Sequence, residues 1–389
     1  MMHFFGEAFR IVAVLGCFSS SIYYVLVLWS AASFLRGQRP DKGVRPTEAL
    51  PPVSILKPLK GVDPEIYESF RSHCLQDYPE YQIIFGVSDP DDPAVPSVRQ
   101  LQQEFPNRDI ELVVCRDKLG ANVKVSNLEQ MLSAARYKYL IVNDSDIRVE
   151  ADYLRRVTAA LADSSVGMVT CLYRGTAAPT MGSRLESLGI STDFCAGVLA
   201  AQQLEGGIRF GLGSTLAFRR SELARVGGFI SVVDYLADDY ELGRRIADLG
   251  LKVHIADVVV ETHLPAYDLR GFFSHQIRWA RGVRDSRLGG YIGLISTFGL
   301  MWGLLAVIAA HAVAWSWTAV GITLVLRLAV AMTVGRSVLR DPQLPRLLWL
   351  LPLRDLIAVG VWIVSFAGHT VMWRGDRFEL KNGRLIRVK

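Results

Sequence analysis

Cysteine is scarce and scattered. The chain has five (Cys17, Cys74, Cys115, Cys171 and Cys195) among 389 residues, and no two form a C-x-x-C pair. That excludes a thiolate zinc site and a disulfide frame; the five read as small buried hydrophobes in a reducing compartment. There is no nucleic-acid motif, dense basic arm, internal repeat or low-complexity segment, so neither a nucleic-acid partner nor a repeat array is expected. The net charge of +5 is modest and suits a protein lying against anionic lipid headgroups.

Charge itself is missing from long stretches. Residues 11–35 carry no Asp, Glu, Lys or Arg, enough for a tilted membrane helix, which needs about 20 residues. The run exceeds a signal-peptide core and no small-residue cleavage site follows it, so it reads as an uncleaved anchor. Residues 288–326 form a second uncharged run. It is too long for one span and holds most of two, the second reaching about Gly335 with Arg327 inside it. Residues 356–373 make a third block. The predicted organisation is an N-terminal anchor (1–36), a soluble domain (37–287), a membrane cluster of two to four hydrophobic segments (288–373) and a basic tail (374–389). Arg36, Arg39, Lys42 and Arg45 follow the anchor and only Arg10 precedes it, which places the soluble domain in the cytoplasm. The basic tail belongs on the same side, yet three full spans would carry it across. One segment is therefore expected to be re-entrant or interfacial, with 344–356 the candidate.

Within 37–287, strand-like and helix-like segments alternate. Val53–Leu56, Tyr81–Asp92, Ile110–Cys115 and Tyr137–Asp146 read as strands, the first followed by a loop at Lys57-Pro58. Residues 66–77, 94–105 and 125–135 read as helices. This alternation predicts an α/β domain with a mostly parallel sheet flanked by helices. Ligands of such sheets bind outside the carboxyl ends of the strands, where Asp89 and Asp92 ("VSDPDD") and Asp144 and Asp146 ("NDSD") fall.

Each chemical candidate has an ordinary counterpart. Asp144 and Asp146 can hold a hard divalent cation together with a diphosphate, or form an acidic turn. Asp89 and Asp92 can accept from a base or ribose, or simply make a turn. Lys124, in "LGANVKVSNL" with Asn122 and Asn127, can meet a phosphate or a nucleobase carbonyl; the asparagines can also be helix caps. Asp238 and Asp239 open an amphipathic helix in "YLADDYELG", where the dipole favours carboxylates and where one could act as a general base. The glycine-spaced "GLGSTLAF" suits a close-approach loop or a tight strand. Arg278, Arg281 and Arg284 share one helix face beside Trp279, as an interfacial helix against lipid phosphates or a clamp on a leaving diphosphate.

Taken in order, "VSDPDD", "NDSDI", "ADDY" and "HQIRW" between an anchor and a membrane cluster resemble the ceramide-glucosyltransferase-like membrane glycosyltransferases, a branch of the inverting GT-A superfamily. Most of the chain is covered, from "SILKPLKG" to "WRGDRFELKNG". Within the group the likeness is greatest to the bacterial hopanoid-biosynthesis branch. The resemblance implies a metal-dependent, inverting hexosyltransferase. It would move N-acetylglucosamine from its UDP-sugar to a bacteriohopanetetrol-type lipid in the bacterial inner membrane. By position it implies that Pro58, Asp89, Asp92, Lys124, Asp144, Asp146, Asp238 and Gln276 bind the donor. Asp146 and Asp144 would hold Mg or Mn, and Asp239 would be the base. Arg278 and Trp279 end the Q/R-x-x-R-W motif, whose first position is His275, with Gln276 one residue later. A ceramide glucosyltransferase using UDP-glucose is the alternative within the class. A non-catalytic nucleotide-sugar receptor is the alternative outside it, and few spans disfavour a transporter.

Overall fold

The computed structural model describes residues 2–37, 50–373 and 375–388. Arg39, Lys42 and Arg45, on which the orientation argument leans, lie outside the described residues. The chain forms two compact units. They do not follow the linear boundaries read from hydropathy.

The sheet unit comprises residues 50–176, 205–265 and 376–388. Its strands are β1 Val53–Pro58, β2 Tyr81–Val87, β3 Asp109–Val114, β4 Tyr139–Val142, β5 Ile147–Arg148, β6 Val166–Thr176, β7 Leu216–Arg219 and β8 Lys252–His263. The spatial order is β3-β2-β1-β4-β7-β6-β8-β5. β1, β2, β3 and β4 pair in parallel, as do β6 and β8; β7 runs against β4 and β6, and β5 against β8. Six strands therefore share one direction, as expected of a mostly parallel sheet, and two reversed strands make it mixed. β1 and β2 are buried along their whole length, the signature of strands covered on both faces. The first strand runs through Lys57 and Pro58, where a loop was expected, because Pro58 still pairs in register with Gly86.

Register decides what meets at the strand ends. Leu56 pairs with Val142 on β4, and Val142 pairs with Leu216 at the start of the reversed β7. The ends of β1 and β4 and the loop before β7 therefore share one edge. Helices α2 Ile66–Cys74, α3 Val95–Glu104, α4 Val123–Met131 and α5 Tyr153–Ala160 alternate with the strands.

Residues 376–388 are not a free tail. They form an antiparallel hairpin in which Phe378 pairs with Arg387 and Lys381 with Arg384. Leu385 N–H donates to the Asp234 carbonyl at 2.7 Å and Leu236 N–H to the Gly383 carbonyl at 3.1 Å.

The helical unit takes α1 Met2–Gly37, Ala177–Leu204 and the chain from Ala266 to residue 373. The second of these pieces is α6 Met181–Gly189, a π-helical segment Ile190–Phe194 and α7 Cys195–Leu204. After α8 Arg220–Arg225 and α9 Asp238–Asp248 in the sheet unit, α10 Leu269–Ser286 returns to the helical one. Gly6–Gly37, Ala314–Val338 and Leu344–Ser365 are long and apolar enough to cross a membrane. On α1, Ile11, Leu15, Phe18, Ile22, Val25 and Trp29 make an exposed apolar stripe, while Ala13, Ser20, Val27 and Ala31 are buried opposite. A stripe of that size fits lipid rather than water. Small residues face inward: a Cβ on Gly16 would overlap the Trp302 ring, so helix Gly299–Ala309 packs directly on the α1 backbone, the close approach that small residues permit in membranes.

The stretch 344–356 is α-helical at Leu344–Leu347, 3-10 at Leu348–Leu350 and α-helical again from Leu351. It opens Leu344–Ser365, which is long and apolar enough to cross a membrane, with its prolines in first-turn positions, where a missing N–H costs nothing. A sharper break falls in the second uncharged run, where Leu288–Thr297 and Gly299–Ala309 meet at a 54° bend. The third block, 356–373, is a helix only to Ser365 and a short strand from Thr370.

Candidate active site

In the sheet unit, the loop after β4 is pinned from beneath. Asn143 is fully buried and donates to the Ser214 carbonyl at 2.8 Å, to Tyr153 Oη at 2.9 Å and to Thr215 Oγ1 at 3.1 Å. These bonds tie the turn carrying Asp144 to the glycine-spaced loop before β7, which settles that segment as a loop leading into a short strand.

Three carboxylates converge there. A Cβ built on Gly213 would lie 3.2 Å from both Asp144 Oδ2 and Asp239 Oδ2, so the bare glycine is what lets these groups approach the loop. Lys124 Nζ bridges Asp144 Oδ1 at 2.8 Å and Asp238 Oδ2 at 3.3 Å. Burial opposes the lysine's charge, but Asp144, Asp238 and Asp239 together outweigh it and hold its pKa above the ordinary value. Asn122 does two jobs: it caps α4 through Val125 N–H at 3.2 Å, and its amide reaches Asp238 Oδ1 at 3.4 Å. Asp146 accepts from Thr262 Oγ1 at 2.5 Å.

Crowding shows in the protonation equilibria. Loss of water pushes Asp239 up to about 6, Asp238 adds to the rise, and Lys124 opposes it. Asp146 is likewise raised to about 6, by burial and then by Asp144, against the Thr262 bond. Lys57 is a residue the sequence reading passed over. It is wholly buried, donates to the Asp144 carbonyl at 2.9 Å, and is lowered to about 7 by burial despite the pull of Asp146, Asp144 and Asp63. Asp63 accepts from Ser145 Oγ at 2.5 Å.

The first acidic motif is engaged differently. Asp92 accepts from Gly61 N–H at 3.0 and 3.1 Å and from Ala94 N–H at 2.9 Å, stapling the loop after Pro58 to the end of β2. Asp89 is exposed and accepts from Asp91 N–H at 2.9 Å.

The "HQIRW" residues lie on α10 in the helical unit. His275 Nδ1 and Gln276 Nε2 sit 3.0 and 2.8 Å from the two oxygens of Glu186, which is buried on α6. The His275 ring stacks on Tyr267 (centroids 5.5 Å apart) and tilts against Trp279 at 5.1 Å; Trp279 in turn meets Phe194. Arg281 and Arg284, expected on lipid phosphates or a diphosphate, are instead bound to carbonyls at the end of helix Leu351–Ser365. Arg281 donates to Thr370 and Ala367, and Arg284 to Ser365 and Gly368. A helix C-terminus attracts cations, so these two arginines are spent on structure.

Among the described residues no three His, Cys, Asp or Glu side chains gather at metal-ligand spacing. Two carboxylates do fit a hard cation of the Mg or Mn kind, whose remaining positions substrate phosphates and water ordinarily fill.

Carboxylates at the ends of a largely parallel sheet occupy the ligand position of the α/β class, and the fold is that of a GT-A-like glycosyltransferase. A mannosyltransferase from Pyrobaculum calidifontis, solved in complex with GDP-Man and Mn2+, matches 93% of this chain and 99% of its own with a TM-score of 0.56; at 21% identity that is a likeness of fold. The chain belongs to glycosyl transferase family 21, whose model matches residues 12–386. It is 24% identical to ceramide glucosyltransferase 1 of Caenorhabditis elegans, over 98% of this chain and 82% of that one. It is 26% identical to ceramide glucosyltransferase 3 of the same organism, over 88% and 76%.

Proposed function

We propose that the protein is an inverting glycosyltransferase that moves N-acetylglucosamine from its UDP-sugar to a hydroxyl of a bacteriohopanetetrol-type membrane lipid, with the sheet unit on the cytoplasmic face of a bacterial inner membrane. The observation that carries the chemistry is the convergence of the Asp239 and Asp144 carboxylates at the Gly213 loop, where burial pushes Asp239 up to about 6. Such a carboxylate is mostly ionised at neutral pH yet more basic than an ordinary one, and it accepts the proton of a lipid hydroxyl as the new bond forms. Attack on the face opposite the leaving diphosphate inverts the anomeric centre.

The other roles follow the motifs. Asp144 and Asp146 would hold a divalent cation, Mg or Mn, with the donor diphosphate. That cation, when bound, supplies charge stabilisation to the leaving group. Lys124 keeps Asp144 and Asp238 in place and adds a positive charge facing the phosphates. Asp89, Asp92 and Pro58 are assigned to the uridine end, Asp238 and Gln276 to donor binding, and Arg278, Trp279 and His275 to the leaving group and its surroundings.

A second acceptor has support of its own: the curated relatives are named ceramide glucosyltransferases, so ceramide with UDP-glucose is the competing pair. The deciding experiment incubates purified protein with Mg or Mn, a panel of UDP-sugars, and either bacteriohopanetetrol or ceramide, and reads lipid products by mass spectrometry. A gain of one N-acetylhexosamine on the hopanoid supports the first pair. A hexose on ceramide transfers the assignment to the second with the mechanism intact. Metal-dependent UDP-sugar binding without any product would instead define a nucleotide-sugar receptor.

A further inference from the structure

The helical unit carries a chain of charged side chains within its apolar helices. Arg327, on the span Ala314–Val338, donates through Nε to both oxygens of Asp355 at 3.1 Å. Its Nη1 donates to the Thr192 carbonyl at 2.9 Å, and its Nη2 to Asp355, Asp193 and Thr192. Every nitrogen of that guanidinium is used. Arg354, one residue from Asp355, is different. Its Nη2 reaches Gln276 Oε1 at 3.1 Å and lies 3.4 Å from Asp193 Oδ2, but its buried Nε and Nη1 have no hydrogen-bond partner, and neither has Asp193 Oδ2. The Arg354 side chain is only 8% exposed, whereas Asp193 remains 32% open.

Ionisable groups inside membrane helices are costly and ordinarily face a partner or a pathway. Unmade bonds to a buried guanidinium are among the more expensive omissions in a protein. Arg327, in the same network, leaves no such bond unmade, and Arg281 leaves only its Nε, whereas Arg354 leaves two nitrogens beside a carboxylate oxygen that also lacks a hydrogen bond. The chain also makes particular room for Arg354: a Cβ on Gly189 would sit 2.5 Å from its Nη2, so only glycine lets the guanidinium lie on α6. The turn that follows, Ile190–Phe194, is π-helical, a local irregularity common at functional sites; it contributes Thr192 and Asp193.

We propose that Arg354 and Asp193 form a recognition site for an uncharged, hydroxyl-bearing lipid headgroup. A hydroxyl supplies what both residues lack, since its oxygen accepts from Arg354 while its hydrogen donates to Asp193. A phosphate does not fit. It only accepts, and the network already sets three carboxylates, Asp193, Asp355 and Glu186, against two guanidinium groups. The aromatic series Tyr267, His275, Trp279 and Phe194 ends beside Asp193 and supplies flat apolar surface for the adjoining lipid body. This inference rests on the reading of the protein as a lipid glycosyltransferase and narrows its acceptor to neutral polyol or amide-alcohol lipids.

The test uses the full chain in detergent with radiolabelled bacteriohopanetetrol and ceramide as probes, unlabelled phosphatidylglycerol as competitor, and UDP binding as a control for the folded state. Wild-type protein is expected to bind at least one hydroxylated lipid saturably and to keep it against phosphatidylglycerol. Arg354→Gln and Gly189→Ala should each weaken that binding by about tenfold or more, the scale of a lost bond to a charged group, and raise the acceptor KM while UDP affinity stays put. Displacement by phosphatidylglycerol at comparable concentration, or no saturable binding of either probe, overturns the proposal from the wild type alone, whatever the variants do. Sugar transfer with an acceptor KM unmoved in both folded variants also overturns it and leaves the transferase reading standing. Lipid binding without transfer does the reverse.

Discussion

Lys57 and Asp144 meet where the first and fourth strands end: the fully buried ammonium donates to the Asp144 main-chain carbonyl at 2.9 Å. The bond is to the backbone, so it fixes the turn that aims the carboxylate and leaves the carboxylate itself to other partners. Lys57→Met should therefore leave that carbonyl without its donor and take one cation from beside Asp63, Asp144 and Asp146, with Lys124 still paired to Asp144. The expected stability loss is about 1–3 kcal/mol, the range for an unsatisfied buried group, with UDP-sugar affinity falling alongside. Chemical denaturation and donor titration of the same variant measure both; a stable variant with unchanged donor affinity would remove Lys57 from the site.

Asp239 makes stability and activity move in opposite directions with pH. Its folded pKa is raised from the ordinary 3.8 to about 6, so between those values the folded protein holds more protons than the unfolded chain. Stability from this group is then present at low pH and lost as pH rises through about 6, while the base becomes competent over the same window. Transfer should fall about tenfold per pH unit below 6. Asp239→Asn should abolish transfer, keep donor binding, and melt higher than wild type above pH 6, the difference vanishing near pH 4. A variant that still turns over would sink the assignment of the base.

Gly213 tests geometry rather than charge. Its added Cβ would stand 3.2 Å from one oxygen of each of Asp144 and Asp239, closer than ordinary contacts, so both carboxylates must give way by a few tenths of an ångström. Gly213→Ala is expected to lower kcat by about 10- to 100-fold through misplacement, with melting temperature little changed. An alanine variant of wild-type kcat would mean that these oxygens need not approach the loop.

Much of the sheet was legible because buried parallel strands and their covering helices alternate plainly, and because Asp144 and Asp146 follow an apolar run directly. Thr262 could not be read as the partner of Asp146, since 116 positions separate them and only the pairing of β5 with β8 brings them together. Residues 177–204 were read as part of the soluble domain for a related reason. Arg184, Glu186 and Asp193 interrupt the segment's hydropathy, yet Glu186 and Asp193 are matched by His275, Gln276, Arg327 and Arg354 from distant helices. The same neutralisation hid the span Leu344–Ser365, whose Arg354 and Asp355 looked like breaks in an apolar run.

The C-terminal hairpin supports the segment that leads into the base. Leu385 N–H and the Gly383 carbonyl bond to Asp234 and Leu236, and Arg384 Nε donates to Tyr235 Oη at 3.2 Å; Asp238 and Asp239 follow within three residues of Leu236. On the other side, Asp234 Oδ1 accepts from Ala121 N–H at 2.9 Å and Asn122 reaches the Tyr235 carbonyl at 2.8 Å. Residues 234–236 are thus held between the hairpin and the Lys124 loop. Ending the chain after residue 375 removes one of those two supports. It should lower kcat by at least about tenfold through loss of alignment while leaving membrane extraction and UDP binding near wild type. Adding back the 376–389 peptide in trans should restore part of the rate, because the hairpin's contacts with 234–236 are main-chain bonds that need no covalent link. A truncated protein as active as the full chain would show that α9 holds Asp239 in place unaided.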